Sequence, residues 1–209
     1  RSTLFPYTTL FRSRTGSVND PRVSKLIELL NERSRTSERQ ASLRYIRDAA
    51  ENLRVAIARR HHIVFGRRGV GKTALLVEAK RKIEEQGNLV IWANVQSLRG
   101  LNASKAFATI VKRIADLPYQ VHHLRERVPH SIKFAKEVCI HADRILDAND
   151  NAEANSHILV PKVQNLINRL CSEKAAELYI FLDDFHYLDV NDQPVFFDLL
   201  HGATRDTRF

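Results

Sequence analysis

The sequence predicts an α/β fold of three layers, α/β/α, in which a parallel sheet is covered by helices on both faces. Three observations predict it. Short apolar runs alternate along the chain with stretches of helical periodicity. One apolar run, His61–Phe65, leads directly into Gly66-Arg67-Arg68-Gly69-Val70-Gly71-Lys72-Thr73. Another, Leu178–Leu182, ends in Asp183-Asp184. Strands joined through helices pair in parallel, by right-handed crossovers.

The elements follow in order. Residues 1–13, Arg1 to Ser13, resemble an in-frame translation of a common sequencing adapter and are set apart from the fold, as a tag would be. A signal peptide fits them poorly, because Pro6 and three threonines interrupt any apolar core. The chain is then expected to be a piece of a longer protein, with an equally arbitrary end at Phe209. Residues 14–36 form a polar lead-in, with a short helix around Val23–Leu30 opened by Pro21. A domain is expected over 37–209. Its first helix starts at Ser37, which has capping-box spacing to Gln40. Leu43, Ile46, Ala50, Leu53 and Ile57 give that helix one apolar stripe. His61–Phe65 reads as a buried strand.

A helix is predicted from Lys72 to about Gln86, stopped by Gly87-Asn88. Leu89–Val95 reads as a second strand, rich in branched residues. A helix over Ser104–Asp116, an irregular stretch 117–130, a helix over Ser131–Leu146 and a polar loop Asp147–Ser156 come next. Another helix is expected from Val160 to Ala175, then the strand Leu178–Leu182. Asp192 is expected to cap a last helix carrying Val195, Phe196, Leu199 and Leu200. The chain stops near Arg208-Phe209, where a fourth strand is expected.

The pattern Gly, four residues, Gly-Lys-Thr is a P-loop. At average composition, chance places it in a chain this long on the order of one time in a hundred. Glycines at 66, 69 and 71 let the backbone wrap a phosphate in conformations that a side chain forbids. Consecutive N–H groups of Gly66, Arg67, Arg68, Gly69, Val70, Gly71, Lys72, Thr73 and Ala74 form the phosphate-binding segment. The following helix adds its positive end. Lys72 is expected on the β- and γ-phosphates, and the Thr73 hydroxyl on Mg²⁺. Arg67 and Arg68 either touch phosphate or face solvent, and solvent is favoured for at least one. A P-loop site also needs an acid on a neighbouring strand to hold Mg²⁺ through water, and Asp183 fits that Walker B position. Asp184 stands where many such proteins place a glutamate that orients the attacking water, with a shorter reach. The predicted class is therefore a P-loop NTPase, ending after the Walker B strand and its following helix.

Composition bounds the remaining classes. A hydrophobic fraction of 44% and a charged fraction of 27% suit a globular domain. No apolar run approaches the roughly 20 residues of a membrane-spanning helix. Cys139 and Cys171 lack metal-ligand spacing and read as core residues of a reduced, cytoplasmic protein. His122, His123 and His130 lack fixed ligand spacing, and His61 and His62 read as structural. His186 follows the paired acids and either senses the γ-phosphate or packs the loop. The net charge of +9 is concentrated before the P-loop, where residues 14–60 carry eleven Lys/Arg against six Asp/Glu. That region is either a nucleic-acid footprint or a solvated helix face.

Phe65–Thr73 and Phe181-Leu182-Asp183-Asp184-Phe185-His186 resemble the AAA+/STAND division of P-loop ATPases, with origin-recognition-like bacterial members nearest. The resemblance runs from about Ser37 to Phe209. It implies ATP and Mg²⁺ as ligands and a Walker B strand separated from the P-loop strand by one other. It also implies remodelling of DNA or a partner protein, in some cases as a homo-oligomer. The sensor-1 strand, arginine finger and helical lid of that division cannot be assigned here. Two functions follow from it: slow ATP hydrolysis that drives or gates a conformational change, and a nucleotide-gated DNA-binding switch with little turnover. A GTPase fits less well, because His186 replaces the glycine expected there and no Asn-Lys-x-Asp occurs. The long helical insertion from Pro118 to Ala175 argues against a small-molecule kinase.

Overall fold

The computed structural model describes residues 21, 23–25, 51–58, 60–67, 69–121, 130–148 and 152–205. The chain divides into two units, Arg1–Gln40 and Ala41–Phe209. Of the first unit, the described residues are Pro21 and Val23–Lys25, all helical. The adapter-like segment, the Ser37 cap and most of the stripe that follows lie outside the described residues.

The second unit is built on two parallel strands, β1 (Leu89–Asn94) and β2 (Leu178–Asp183). Their register runs from Leu89 opposite Leu178 to Asn94 opposite Asp183. The pairing begins at a clamp: Leu89 N–H donates to the Glu177 carbonyl at 2.8 Å, and Glu177 N–H donates to Asn88 Oδ1 at 3.0 Å. Alternation then divides the side chains between two faces. Val90, Trp92, Tyr179 and Phe181 pack on one face against Ala79 and Ile83 of α2 (Lys72–Glu85). Leu53 and Ala56 of α1 (Asn52–Ala56) join that cluster. Trp92 and Phe181 stack across the strands, with centroids 5.9 Å apart. Leu89, Ile91, Ala93, Leu178, Ile180 and Leu182 face the larger cluster on the other side.

That larger cluster is helical. It joins α3 (Ala103–Val121), α4 (His130–Asp147), α5 (Ala152–Lys174) and α6 (Asp192–Thr204). Phe107, Ile110 and Ile114 of α3, Val138 and Ile145 of α4, Leu166 and Leu170 of α5, and Phe196 of α6 are all closed off from solvent. Each helix carries its apolar residues at three- and four-residue steps, so one stripe per helix is buried. Two helices are longer than their sequences suggest. α3 runs past Asp116 through Pro118, and α5 begins at Ala152, inside the expected polar loop, and contains Pro161. A proline inside a helix costs about 3 kcal/mol. Burial of Leu117 in α3 and of Leu159 in α5 offsets it, and Ser156 hydrogen-bonds Ser104 in the interior at 3.1 Å.

Two further expectations need correction. His61–Phe65 is not a strand in this structure. Ile63 is 65% exposed and Phe65 85%. A strand exists only by pairing, and no third strand stands between this segment and β2 among the described residues. Asp192 does not cap its own helix, whose N-cap is Asn191 with no side-chain bond. Its carboxylate instead accepts the Ala103 N–H at 2.8 Å, and Asn102 Oδ1 accepts the Lys105 N–H at 2.9 Å. Both bonds satisfy donors at the start of α3. The far edge of β1 is also engaged: Arg113 Nη1 donates to the Trp92 carbonyl at 2.7 Å.

Asp192→Ala should therefore destabilise the fold through α3, by about 0.5–2 kcal/mol, the usual worth of an N-terminal capping acceptor. Asp192→Asn, which keeps an acceptor, should lose less. Urea denaturation midpoints of the two variants check this.

Candidate functional site

The segment before the loop, His61–Arg67, runs without strand or helix, and the chain turns at Gly69 and Val70. Gly69 and Gly71 have φ of 85° and 91°, in the left-handed region that a side chain disfavours. Gly71 is the N-cap of α2, and its carbonyl accepts the Leu75 N–H at 2.9 Å. A Cβ at Gly66 would lie 2.9 Å from Val70 Cγ2, so the Val70 side chain would have to shift.

Lys72 is the first residue of α2, and its side chain folds back over the loop. Its Nζ donates to the carbonyls of Gly66 at 2.8 Å and Arg67 at 3.0 Å. A strong cation is thus held beside the backbone that the motif would wrap round an anion. Arg67 and Val70 are exposed, Thr73 and Ala74 half-buried. Arg68 lies outside the described residues.

Thr73 meets the second motif directly. Its Oγ1 donates to Asp183 Oδ1 at 3.3 Å, across 110 positions of sequence. The same oxygen accepts the Asp184 N–H at 3.0 Å. Asp183 closes β2 and is only 8% exposed. Burial raises its proton affinity most, and the neighbouring Asp184 raises it further. The hydroxyl of Thr73, the Asp184 amide and the charge of Lys72 oppose the rise. The net effect is a carboxyl held above the usual carboxylate range.

The sign of the linkage follows. A raised folded-state value means that the ionised carboxylate penalises the fold. The penalty is full above the folded-state value and fades as pH falls through it toward the ordinary range. A cation at this oxygen would relieve the same penalty without acid. The donors present, a hydroxyl and a carboxylate, are hard oxygens of the kind Mg²⁺ takes, so this pair fits the ion that the motif implies.

Asp184 turns the chain out of the strand with φ 57° and ψ 37°, left-handed for a residue with a side chain. Such a conformation costs on the order of 1–2 kcal/mol, and strain of this kind clusters at functional sites. The register also places Asn94, the last residue of β1, opposite Asp183. Its carboxamide accepts the Gln96 N–H at 2.8 Å. The one sequence signal for Asn94 is its position at the end of an apolar strand. His186 is exposed, with its ring 4.4 Å from that of Tyr187. His130 is the exposed first residue of α4, while His122 and His123 lie outside the described residues. Among the described residues no three His, Cys, Asp or Glu gather as a metal site. Cys139 and Cys171 are half-buried free thiols, and burial pushes Cys171 up to about 11. Among the described residues, no helix is long and apolar enough to cross a membrane.

A family model described as the AAA ATPase domain matches residues 35–209. No curated protein and no solved structure matches the chain. The matched span holds both motifs and every site residue described above. The chain belongs to the AAA ATPase domain family, and so to the nucleotide-binding P-loop ATPases.

Proposed function

We propose that residues 66–74 bind the phosphates of ATP and that the bound nucleotide gates a conformational change with slow turnover. Thr73 and, through water, Asp183 would hold Mg²⁺. The observation that best supports this is the hydrogen bond from Thr73 Oγ1 to Asp183 Oδ1, which joins the two motifs at one point. The left-handed glycines and Lys72 add the cradle and the charge for an anionic chain. Bound Mg²⁺ would supply a positive charge that neutralises the phosphates and offsets the buried carboxylate. Lys72 would leave the carbonyls of Gly66 and Arg67 for a phosphate oxygen. Asp184 would orient a water, with less reach than a glutamate has, and this is the reason for expecting slow turnover. Within the family, the runs Phe65–Thr73 and Phe181–His186 favour the STAND-type, origin-recognition-like branch, and the paired aspartates Asp183 and Asp184 tilt the reading toward a switch.

The alternative, a nucleotide-gated DNA-binding switch, rests on the basic residues before the P-loop. Arg33, Arg35, Arg39, Arg44, Arg47 and Arg59 lie outside the described residues. Arg60 is exposed, and Arg54 pairs with Glu51 at 3.3 Å. A DNA partner, a protein partner and a homo-oligomer remain expectations of the resemblance.

Titration calorimetry with ATP and Mg²⁺ tests the binding reading. Lys72→Ala should weaken binding roughly ten- to hundredfold, since a hydrogen bond from a charged donor is worth about 1.5–3 kcal/mol. Equal affinity in the two proteins would sink the proposal. Asp183→Asn separates fold from function. It removes a buried charge, so the nucleotide-free protein should melt at a higher temperature near neutral pH, with the gain shrinking as pH falls. The extra stabilisation that Mg²⁺ gives to the ATP-bound protein should disappear in the same variant. Asp184→Glu, with its longer reach, should raise ATP turnover without weakening binding, measured by phosphate release.

A further inference from the structure

Near the end of α4, His141 and Arg144 stand three positions apart, and near the start of α5, Asn155 and Ile158 do the same. Residues at that spacing share a helix face. The four side chains line one cavity of about 140 Å³, several times the roughly 30 Å³ that a water occupies in the liquid. The interior beneath is filled without them: their helix neighbours Ala142, Ile145, Ser156 and Leu159 are closed off from solvent.

Each lining group has something left to offer. The Arg144 guanidinium makes no hydrogen bond or ion pair among the described residues. Two acids of the same helix are engaged elsewhere, Asp143 with Lys112 at 2.7 Å and Glu137 with Lys162. No acid lines the cavity beside Arg144. The Asn155 carboxamide likewise has no partner among the described residues. His141 Nδ1 lies 2.9 Å from the Glu137 carbonyl. A carbonyl only accepts, so that nitrogen carries the ring proton, and Nε2 of the neutral ring is an acceptor. Ile158, 54% exposed, adds an apolar wall.

We propose that this cavity binds a small hydroxycarboxylate, an organic acid with a hydroxyl beside its carboxylate and a short alkyl group. The planar guanidinium of Arg144 takes the carboxylate through two parallel N–H donors, and the Asn155 carboxamide adds a third. The hydroxyl donates to His141 Nε2, and the alkyl group lies on Ile158. A carboxylate without the hydroxyl would leave the imidazole acceptor unused, and an inorganic anion would gain nothing from the Ile158 wall. The cavity shares no residue with the P-loop motif or the paired aspartates, so its ligand is a second one and not part of the nucleotide.

Amide NMR of the whole chain, titrated with 2-hydroxybutyrate, butyrate and inorganic phosphate, tests this. 2-Hydroxybutyrate should move the amides of His141, Arg144, Asn155 and Ile158 with a saturable midpoint on the order of millimolar, an ordinary affinity for so small a ligand. The amides of Gly66–Thr73 should stay in place. Butyrate should bind more weakly than its hydroxy acid. Arg144→Gln, whose side chain has no partner to lose among the described residues, should weaken 2-hydroxybutyrate by at least about tenfold, because the charged donor pair is gone. Asn155→Ala should weaken it less. No saturable shift at the cavity, an unchanged midpoint in Arg144→Gln, or phosphate binding as tightly as 2-hydroxybutyrate would overturn the site. Equal midpoints for butyrate and 2-hydroxybutyrate would overturn its assignment to a hydroxycarboxylate.

Discussion

The hydrogen bond between Thr73 and Asp183 is the contact on which the arrangement of this domain turns. It requires that α2 begin at the loop, that β2 end level with that beginning, and that the sheet hold the two in place. Each requirement is met by burial elsewhere. Ala79 and Ile83 seat α2 on the sheet, and the Trp92–Phe181 stack fixes the strands beneath it. Leu178, Ile180 and Leu182 anchor β2 from the opposite face. The polar contact is weak in itself, because at 3.3 Å it is long for a bond from a hydroxyl to an oxygen. Its position is inherited from apolar packing.

The cost of that position falls on Asp183. A carboxylate at the end of a buried strand, beside a second carboxylate, loses hydration that one hydroxyl and one amide only partly replace. The fold accepts a local penalty where a cation would remove it. Asp184 shows the same economy in the backbone, held left-handed by the turn into Phe185–Tyr187. Strained and under-solvated groups thus gather within a few residues of each other, while the helical cluster behind them is mainly apolar, with its buried hydroxyls of Ser104 and Ser156 paired to each other.

Much of this was legible in the sequence, because the informative signals were local. The Gly66–Thr73 spacing, the apolar strands Leu89–Asn94 and Leu178–Asp183, and the stripes of α4 and α6 each depend on near neighbours along the chain. The extension of α3 through Pro118 and of α5 back to Ala152 was not legible, since both depend on what the helices pack against. The segment His61–Phe65 carries a strand-like composition, yet strand formation belongs to a pair and not to a segment. Asp192 has the residue type of a helix cap, and only the fold shows that it caps α3 instead. The approach of His201 to His61 spans most of the domain and leaves no trace in either local sequence.

The side chain of Arg113 on the Trp92 carbonyl has a consequence for how the sheet meets other chains. An uncovered strand edge is a template for any extended peptide, including those of misfolded neighbours. On β1 a guanidinium already occupies one of the acceptors that such a peptide would use, and its charge discourages a close approach. A strand approaching β1 from that side would have to displace Arg113 before it could pair.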